Sequence, residues 1–130
     1  MGERVDLGAE LGTVRSFREL VVWQRSVELT VEVYRLTKLF PKDEMFGLTS
    51  QLRRAAVSIP SNIAEGQGRA TRGEFLQFLG IARGSAFEVQ TQLLIARELE
   101  YGSEEMLASC EGLGGEVGKM LNALTASLTI

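Results

Sequence analysis

The amino-acid sequence predicts an all-α protein, an up-and-down antiparallel four-helix bundle whose second helix is kinked at a proline. Apolar residues recur at steps of three and four along most of the chain, which is the spacing of one helix face. Only two prolines interrupt the 130 residues, and the turns between the periodic segments are short. We expect residues 16–128 to form the bundle and residues 1–15 to form a flexible N-terminal extension.

The first predicted helix begins near Phe17 and ends before Pro41. Ser16 and Glu19 have the spacing of a capping box, in which each side chain accepts a hydrogen bond from a free backbone amide at the helix start. Two apolar stripes follow: Val22, Leu29, Val33, Leu36 and Phe40, and then Trp23, Val27, Thr30 and Tyr34. Because so wide an arc exceeds the stripe of a helix that packs on one side, we expect helix one to contact a second subunit.

The second predicted helix runs from Glu44 to Glu65 and contains Pro60. One face carries apolar residues at helical spacing: Leu48, Leu52, Ala55, Ile59 and Ile63. Pro60 has no backbone N–H and its ring crowds the carbonyl four residues earlier, so we expect a bend there. The polar side chains nearby are expected to bond the backbone groups that the bend releases: Ser58, Ser61 and Asn62.

The third helix has the clearest pattern of the chain. Thr71 and Glu74 repeat the capping-box spacing. The seam that follows alternates steps of four and three, as in a helix lying nearly antiparallel to its partners. Its residues are Phe75, Leu79, Ala82, Ala86, Val89, Leu93 and Ala96. Gly80 and Gly84 in the same helix either let another backbone approach closely or are merely tolerated.

The fourth helix is predicted to follow a turn at Tyr101 and Gly102, with Ser103 as its cap. Its seam consists of Met106, Cys110, Leu113, Val117, Met120, Leu124 and Leu128. Four glycines interrupt it: Gly112, Gly114, Gly115 and Gly118. Together they cost about 3 to 4 kcal/mol relative to alanine. Packing must offset that cost, or the helix breaks near Gly114.

Several short motifs occur in one order between Phe17 and Leu99. They are Val22-Trp23-Gln24, Phe40-Pro41, Phe46-Gly47-Leu48, Gln51-Leu52-Arg53-Arg54-Ala55, Ile59-Pro60-Ser61-Asn62-Ile63-Ala64-Glu65-Gly66 and Phe78-Leu79-Gly80-Ile81-Ala82-Arg83-Gly84-Ser85. In these motifs the chain resembles the four-helix bundle family whose genes lie as intervening sequences within bacterial 23S ribosomal RNA genes. That family is related to the accessory protein of diversity-generating retroelements. The resemblance implies a homopentamer and interface or structural roles for Trp23, Pro60, Asn62, Glu65, Gly66 and Gly84, but no defined activity.

The composition argues against an enzyme, a metal site and a bound cofactor. The chain has no histidine, so imidazole general-base chemistry and histidine metal ligation are excluded. Its one cysteine, Cys110, has Met106 and Leu113 within helical reach, which predicts a buried structural thiol. The first residues mix both charges, and no apolar run is long enough to span a bilayer. We therefore expect a cytoplasmic protein that does not enter a membrane.

Charge is distributed unevenly along the chain. Residues 53–83 contain only two glutamates and five arginines, which are candidates for phosphate contact: Arg53, Arg54, Arg69, Arg72 and Arg83. Six glutamates between residues 98 and 116 meet no lysine or arginine, so the two segments could attract each other between subunits. The whole chain has net charge −3 and a pI near 5.1, whereas nucleic-acid binding usually leaves a basic footprint. An oligomeric interaction scaffold is the leading hypothesis, and the alternative is an accessory protein that binds RNA or DNA and acts with RNA or with a protein partner such as a reverse transcriptase.

Overall fold

The computed structural model describes residues 15–129, and within that range the chain forms four α-helices and no strand. The helices are α1 (Val21–Thr37), α2 (Leu48–Gln67), α3 (Arg72–Glu98) and α4 (Glu104–Leu128). A single 3-10 turn precedes each of the first two helices, at Phe17–Glu19 and Lys42–Glu44. The predicted all-α four-helix bundle is confirmed, whereas nearly all of the predicted N-terminal extension lies outside the described residues.

The four helices pack in a closed cycle around one hydrophobic core. Helix α1 contacts α2, α2 contacts α3, α3 contacts α4, and α4 returns to α1. Short loops join them, so successive helices run antiparallel. One end of the bundle therefore carries both the α1–α2 loop and the α3–α4 loop, and we call it the α1–α2 end.

The first helix begins one turn later than predicted. The Ser16 capping box is present, with the Arg18 amide 3.2 Å from the Ser16 hydroxyl and the Ser16 amide 3.2 Å from the Glu19 carboxylate. It caps only the 3-10 turn, because Leu20 is extended at φ −76° and ψ 123°. The Leu20 side chain is buried. The chain bends here to place that side chain in the core, and the α-helix begins at Val21.

The second helix also begins later than predicted, at Leu48 instead of Glu44. Residues Lys42–Glu44 form a 3-10 turn, and the Glu44 carboxylate accepts a hydrogen bond from the Leu48 amide at 3.0 Å. Glu44 therefore caps α2 from outside the helix. As the sequence predicted, the negative charge of Glu44 lies against the free amides of a helix start. That helix start is at Leu48, four residues after the predicted one.

Helix α2 is continuous through Pro60, and the predicted bend is not confirmed. Because Pro60 cannot donate to Ala56, the Ala56 carbonyl lacks its usual helical partner. The hydroxyl of Thr30 on α1 lies 3.0 Å from this carbonyl and 2.8 Å from the Ser26 carbonyl of its own helix. The carbonyl that the proline releases is thus met by a neighbouring helix.

The polar residues around the proline bond to each other and to α3. The Asn62 amide nitrogen lies 2.8 Å from the Ser58 carbonyl and 2.9 Å from the Ser58 hydroxyl. The Ser85 hydroxyl of α3 lies 2.8 Å from the same Ser58 hydroxyl. Ser61 is exposed. Of the backbone groups near the proline, the Ser58 carbonyl is bonded by a local side chain, that of Asn62, whereas the Ala56 carbonyl faces Thr30 of another helix instead.

The apolar seam of α3 is confirmed, since every predicted seam residue is buried. Thr71 and Ser103 cap α3 and α4 as predicted. The α4 seam differs from the prediction at three places. Leu107, Gly114 and Leu121 are buried, whereas the predicted Met106, Leu113 and Met120 are only partly buried against the core.

Helix α4 is unbroken through its four glycines. The Gln90 side-chain amide of α3 donates a hydrogen bond to the Gly114 carbonyl at 3.0 Å. A Cβ at Gly118 would lie 3.0 Å from the same nitrogen. Gly118 therefore leaves room for the Gln90 side chain between α3 and α4, and the hydrogen bond from Gln90 to Gly114 offsets part of the cost of the glycines in helix propensity.

Candidate interaction surfaces

The side of α3 that points away from the core carries several exposed apolar residues, with exposed Gln77, Glu88 and Thr91 among them. We call it the outer face of α3 and define it by Gly80, Ile81, Gly84, Phe87, Leu94 and Ile95. Its four large side chains are between 43% and 54% exposed. Single exposed apolar side chains are normal on a protein surface, whereas several of them along one side of a helix favour an interaction site. The outer face of α3 is therefore the first candidate surface.

Gly80 and Gly84 lie one turn apart in the middle of this face. A Cβ at either position would meet nothing within 4 Å in the described chain. The fold of the described residues therefore does not require glycine there, although each costs about 0.8 to 1 kcal/mol relative to alanine. Of the two interpretations of these glycines, a close backbone approach is made by no helix of residues 15–129 and would need a second molecule, whereas mere tolerance fits the open space around them.

A second apolar group protrudes at the α1–α2 end. Phe46 is 96% exposed, and Leu39 and Met45 in the same loop are 55% and 49% exposed. We call these three residues the end knob. Phenylalanine is among the residues most often buried, so a side chain as exposed as that of Phe46 needs an explanation.

Hydrogen bonds define the turn that carries Phe46. The Met45 amide donates to the Lys42 carbonyl at 3.1 Å, and the Gly47 amide donates to the Glu44 carbonyl at 2.9 Å. A Cβ at Gly47 would lie 2.6 Å from a Glu44 carboxylate oxygen. Glycine at this position lets the carboxylate fold back over the turn.

The Glu44 carboxylate ties this turn to the α3–α4 loop. One oxygen accepts from the Leu48 amide at 3.0 Å and the other from the Tyr101 hydroxyl at 2.9 Å. The hydrogen bond from the Leu48 amide, and after it the one from the Tyr101 hydroxyl, lowers the pKa of Glu44. The hydrogen bond to Glu44 raises the pKa of Tyr101. The Tyr101 ring packs on Phe40 at a centroid distance of 5.3 Å. The two loops therefore support the knob together.

The second apolar stripe of helix one lies along α2. Thr30 bonds to α2, and the Arg53 guanidinium lies 4.7 Å from the centre of the Tyr34 ring. Trp23 packs partly buried against the core and contacts the Phe17 ring edge to face at 5.1 Å. The first stripe of helix one thus packs in the core, and Thr30 and Tyr34 of the second stripe contact α2. The wide apolar arc does not require the second subunit that the sequence suggested, and the outer face of α3 is the more exposed apolar surface.

The five arginines proposed for phosphate contact do not form one patch. Arg53 and Arg54 lie near the start of α2, whereas Arg69 and Arg72 lie beyond its end, about 20 Å away at 1.5 Å per residue. Arg83 lies on α3 between these levels. Arg54 and Arg72 are exposed and form no ion pair with another described residue. The Arg83 Nε is buried without a hydrogen-bond partner in residues 15–129.

Two of these arginines are engaged within the chain. The Arg53 Nε donates to the Thr37 hydroxyl at 2.8 Å, in addition to its contact with the Tyr34 ring. Arg69 pairs with Glu65 at 2.8 Å and lies 4.9 Å from the centre of the Phe78 ring. Contacts of this kind place the guanidinium groups against the bundle.

Three glutamates of the acidic segment are paired within the chain. Arg97 bonds to Glu111 at 2.6 Å and to Glu104 at 2.7 Å, and Arg25 bonds to Glu116 at 2.7 Å. These bonds raise the pKa of both arginines and lower the pKa of Glu116. They join α4 to α3 and α1. Half of the acidic segment is thus already matched by arginines of its own chain.

The fold agrees with comparisons to known proteins. The sequence profile of the 23S rRNA-intervening sequence protein family matches residues 18–123. The chain belongs to this family. A crystal structure of a protein with unknown function from the S23 ribosomal protein family, from Bacteroides thetaiotaomicron, is similar to it at 27% identity and a TM-score of 0.72. The similarity covers 81% of this chain and 98% of that chain. No curated protein matches the sequence.

The glycine at the end of the motif from Ile59 to Gly66 has a packing role. Gly66 is buried where α2 crosses the start of α3. A Cβ there would lie 2.7 Å from the Phe78 Cβ and 3.0 Å from the Phe75 ring. Both distances are too short for an ordinary contact, so the residue allows the two helices to approach closely.

The other motif residues of this family member divide between the interior and the surface. Trp23, Pro60 and Asn62 contact neighbouring residues of the bundle. Glu65 and Gly84 are exposed, and Glu65 pairs with Arg69. The structure therefore accounts for most of the motif by packing, and leaves Gly84 on the outer face of α3.

The single thiol of this family member lies in the core. Burial raises the pKa of Cys110 to about 12. Among residues 15–129, no three histidine, cysteine, aspartate or glutamate side chains are grouped so that they could hold a metal ion. None of the described helices combines the length and the apolar character needed to cross a bilayer.

Proposed function

We propose that this member of the 23S rRNA-intervening sequence protein family is a non-enzymatic, self-associating scaffold of the cytoplasm. The observation that carries the proposal is the outer face of α3. Its four large apolar side chains are about half exposed and surround two glycines that no described helix approaches. Burying such a group between copies removes apolar surface from water, which is the main driving force of association.

A homopentamer is the assembly that the family resemblance implies, and we propose it here. A chain of 14.3 kDa makes the mass of each possible oligomer distinct. Size-exclusion chromatography with light scattering at micromolar concentration is expected to give five times the monomer mass. A monomer at that concentration contradicts the proposal.

The matched variants are Phe87→Asp on the outer face of α3 and Val31→Asp on α1. Both side chains are exposed, at 53% and 42%. Buried carboxylates are strongly disfavoured at an interface. We expect Phe87→Asp to run as a monomer with unchanged helicity, and Val31→Asp to keep the mass of the wild type.

The absence of enzymatic activity is part of the same proposal. The chain contains no histidine, and its one thiol is held protonated in the core. Elemental analysis of purified protein provides the test. Iron or manganese in stoichiometric amount would contradict a non-enzymatic role.

Nucleic-acid binding is a second candidate function, favoured by two exposed arginines. Arg54 and Arg72 extend from the bundle without an ion pair in the described residues. Each phosphate contact makes binding weaker as salt rises. We expect Arg54→Ala and Arg72→Ala to weaken binding to structured RNA and to lower its salt dependence. Arg35→Ala, also at an exposed site, is the control and should change neither. No binding at low salt would remove this candidate.

A further inference from the structure

Two apolar groups of this chain are uncovered, and they lie on different parts of the bundle. The end knob protrudes from the α1–α2 loop, and the outer face of α3 lies along the side of the molecule. Gly84 is fourteen residues from the end of α3 that lies near the knob, which is about 20 Å at 1.5 Å per residue. The knob therefore cannot cover the middle of this face in its own chain.

We infer that the end knob of one copy packs on the outer face of α3 of a second copy. This inference rests on the proposed self-association and specifies its geometry. The two surfaces are unlike, so each copy contributes one knob and one face. Contacts of this kind are heterologous, and they close into a ring when the rotation between copies allows it.

The shapes of the two surfaces fit this arrangement. Phe46 is almost fully exposed, and its turn is held by the hydrogen bonds of Glu44. Because the backbone of this turn is already held, it loses little conformational entropy on binding. On the receiving side, Gly80 and Gly84 have no Cβ and leave a flat strip of helix backbone between Ile81 and Phe87. A phenyl ring can lie against such a strip.

The charges around the two surfaces are also complementary. Lys38 and Lys42 are exposed in the loop that carries the knob, with Asp43 beside them. Glu88 and Glu98 are exposed along the outer side of α3. None of these lysines and glutamates forms an ion pair with a described residue of its own chain. Opposite charges on two surfaces that meet favour the correct pairing and speed association.

Complementation between two variants tests the inference. Phe46→Asp destroys the knob and keeps the face, and Ile81→Asp destroys the face and keeps the knob. Both side chains are exposed, so circular dichroism should show wild-type helicity for each. Each variant alone should be a monomer. An equal mixture should form a dimer of about twice the monomer mass and nothing larger, because only one intact knob and one intact face remain.

The outcomes separate this inference from the proposed function. A wild-type protein that is monomeric at micromolar concentration refutes both. A Phe46→Asp variant that keeps the wild-type mass refutes the inference alone, because the copies then join through another contact, such as α3 against α3. Two monomeric variants whose mixture stays monomeric refute it as well. A double variant with both substitutions has neither an intact knob nor an intact face, so it should not pair with either single variant.

Discussion

The two faces of α3 contain similar residues but differ in what covers them. Leu93 on the inner face is fully buried, whereas the adjacent Leu94 on the outer face is 54% exposed. The inner face follows the seam that a bundle requires, and every seam residue packs in the core. The outer face has no such partner in the described chain. One helix therefore has two apolar surfaces, of which only one is used for folding.

The largest expected effect comes from truncating these two leucines separately. We expect Leu93→Ala to lower the free energy of unfolding by about 2 to 5 kcal/mol, because it removes buried methyl groups and leaves a cavity. Leu94→Ala should change it by less than about 0.5 kcal/mol. Urea unfolding at a concentration that favours the monomer gives both values. Equal losses would mean that the fold itself buries the outer face.

Adding a methyl group to a glycine that lies between two helices should lower stability more than adding one to an uncrowded glycine. Gly66→Ala places its Cβ 2.7 Å from that of Phe78, and such overpacking costs about 1 to 3 kcal/mol. Gly68→Ala is the control, since its nearest neighbours lie at 3.6 Å or more. Thermal unfolding should show a lower midpoint for Gly66→Ala only. A Gly66→Ala protein as stable as the control would show that the α2–α3 crossing is loose.

The hydrogen bond from the Thr30 hydroxyl to the Ala56 carbonyl can be tested as the replacement for the helical bond that Pro60 cannot make. Thr30→Val should cost about 1 kcal/mol, the usual net value of such a hydrogen bond. In a Pro60→Ala background, residue 60 regains an N–H that can bond to the carbonyl of Ala56, so the cost should fall. A double-mutant cycle measures the difference. The same cost in both backgrounds would show that Thr30 does not replace the missing helical bond.

The smallest expected effect has the opposite sign. Gly80→Ala should raise the free energy of unfolding of the monomer by about 0.8 to 1 kcal/mol, since its Cβ meets nothing. Gly118→Ala should gain less, because its Cβ would lie 3.0 Å from the Gln90 amide nitrogen. Urea unfolding of both variants provides the check. A loss of stability for Gly80→Ala would reveal a contact on the outer face within the chain.

Features that depend on local chemistry and on helical period were predictable from the sequence. The caps at Thr71 and Ser103 lie where the residue types place them, and the α3 seam is buried throughout. Features that depend on packing between elements were missed. Leu20 interrupts the first helix because its side chain is buried, and Glu44 is a cap because Tyr101 and the Leu48 amide both lie within reach.

The candidate surface was only partly visible in the sequence. The wide apolar arc of helix one predicted a subunit contact on α1, but α2 contacts Thr30 and Tyr34 of its second stripe. The sequence of α3 does contain large apolar residues outside the predicted seam, and these indicate the candidate surface: Ile81, Phe87, Leu94 and Ile95. Period alone does not tell whether such residues meet another helix of the bundle or solvent, because that depends on where the neighbouring helices lie.

The most direct test of a covered outer face is hydroxyl-radical footprinting at increasing protein concentration, followed by light scattering on the same samples. Phe87 reports on the outer face of α3, Phe46 on the knob, and Tyr34, 40% exposed on α1, is the control. We expect modification of Phe87 and Phe46 to fall as the mass rises, while Tyr34 is modified equally throughout. Phe87 that stays equally reactive while the mass rises would contradict it.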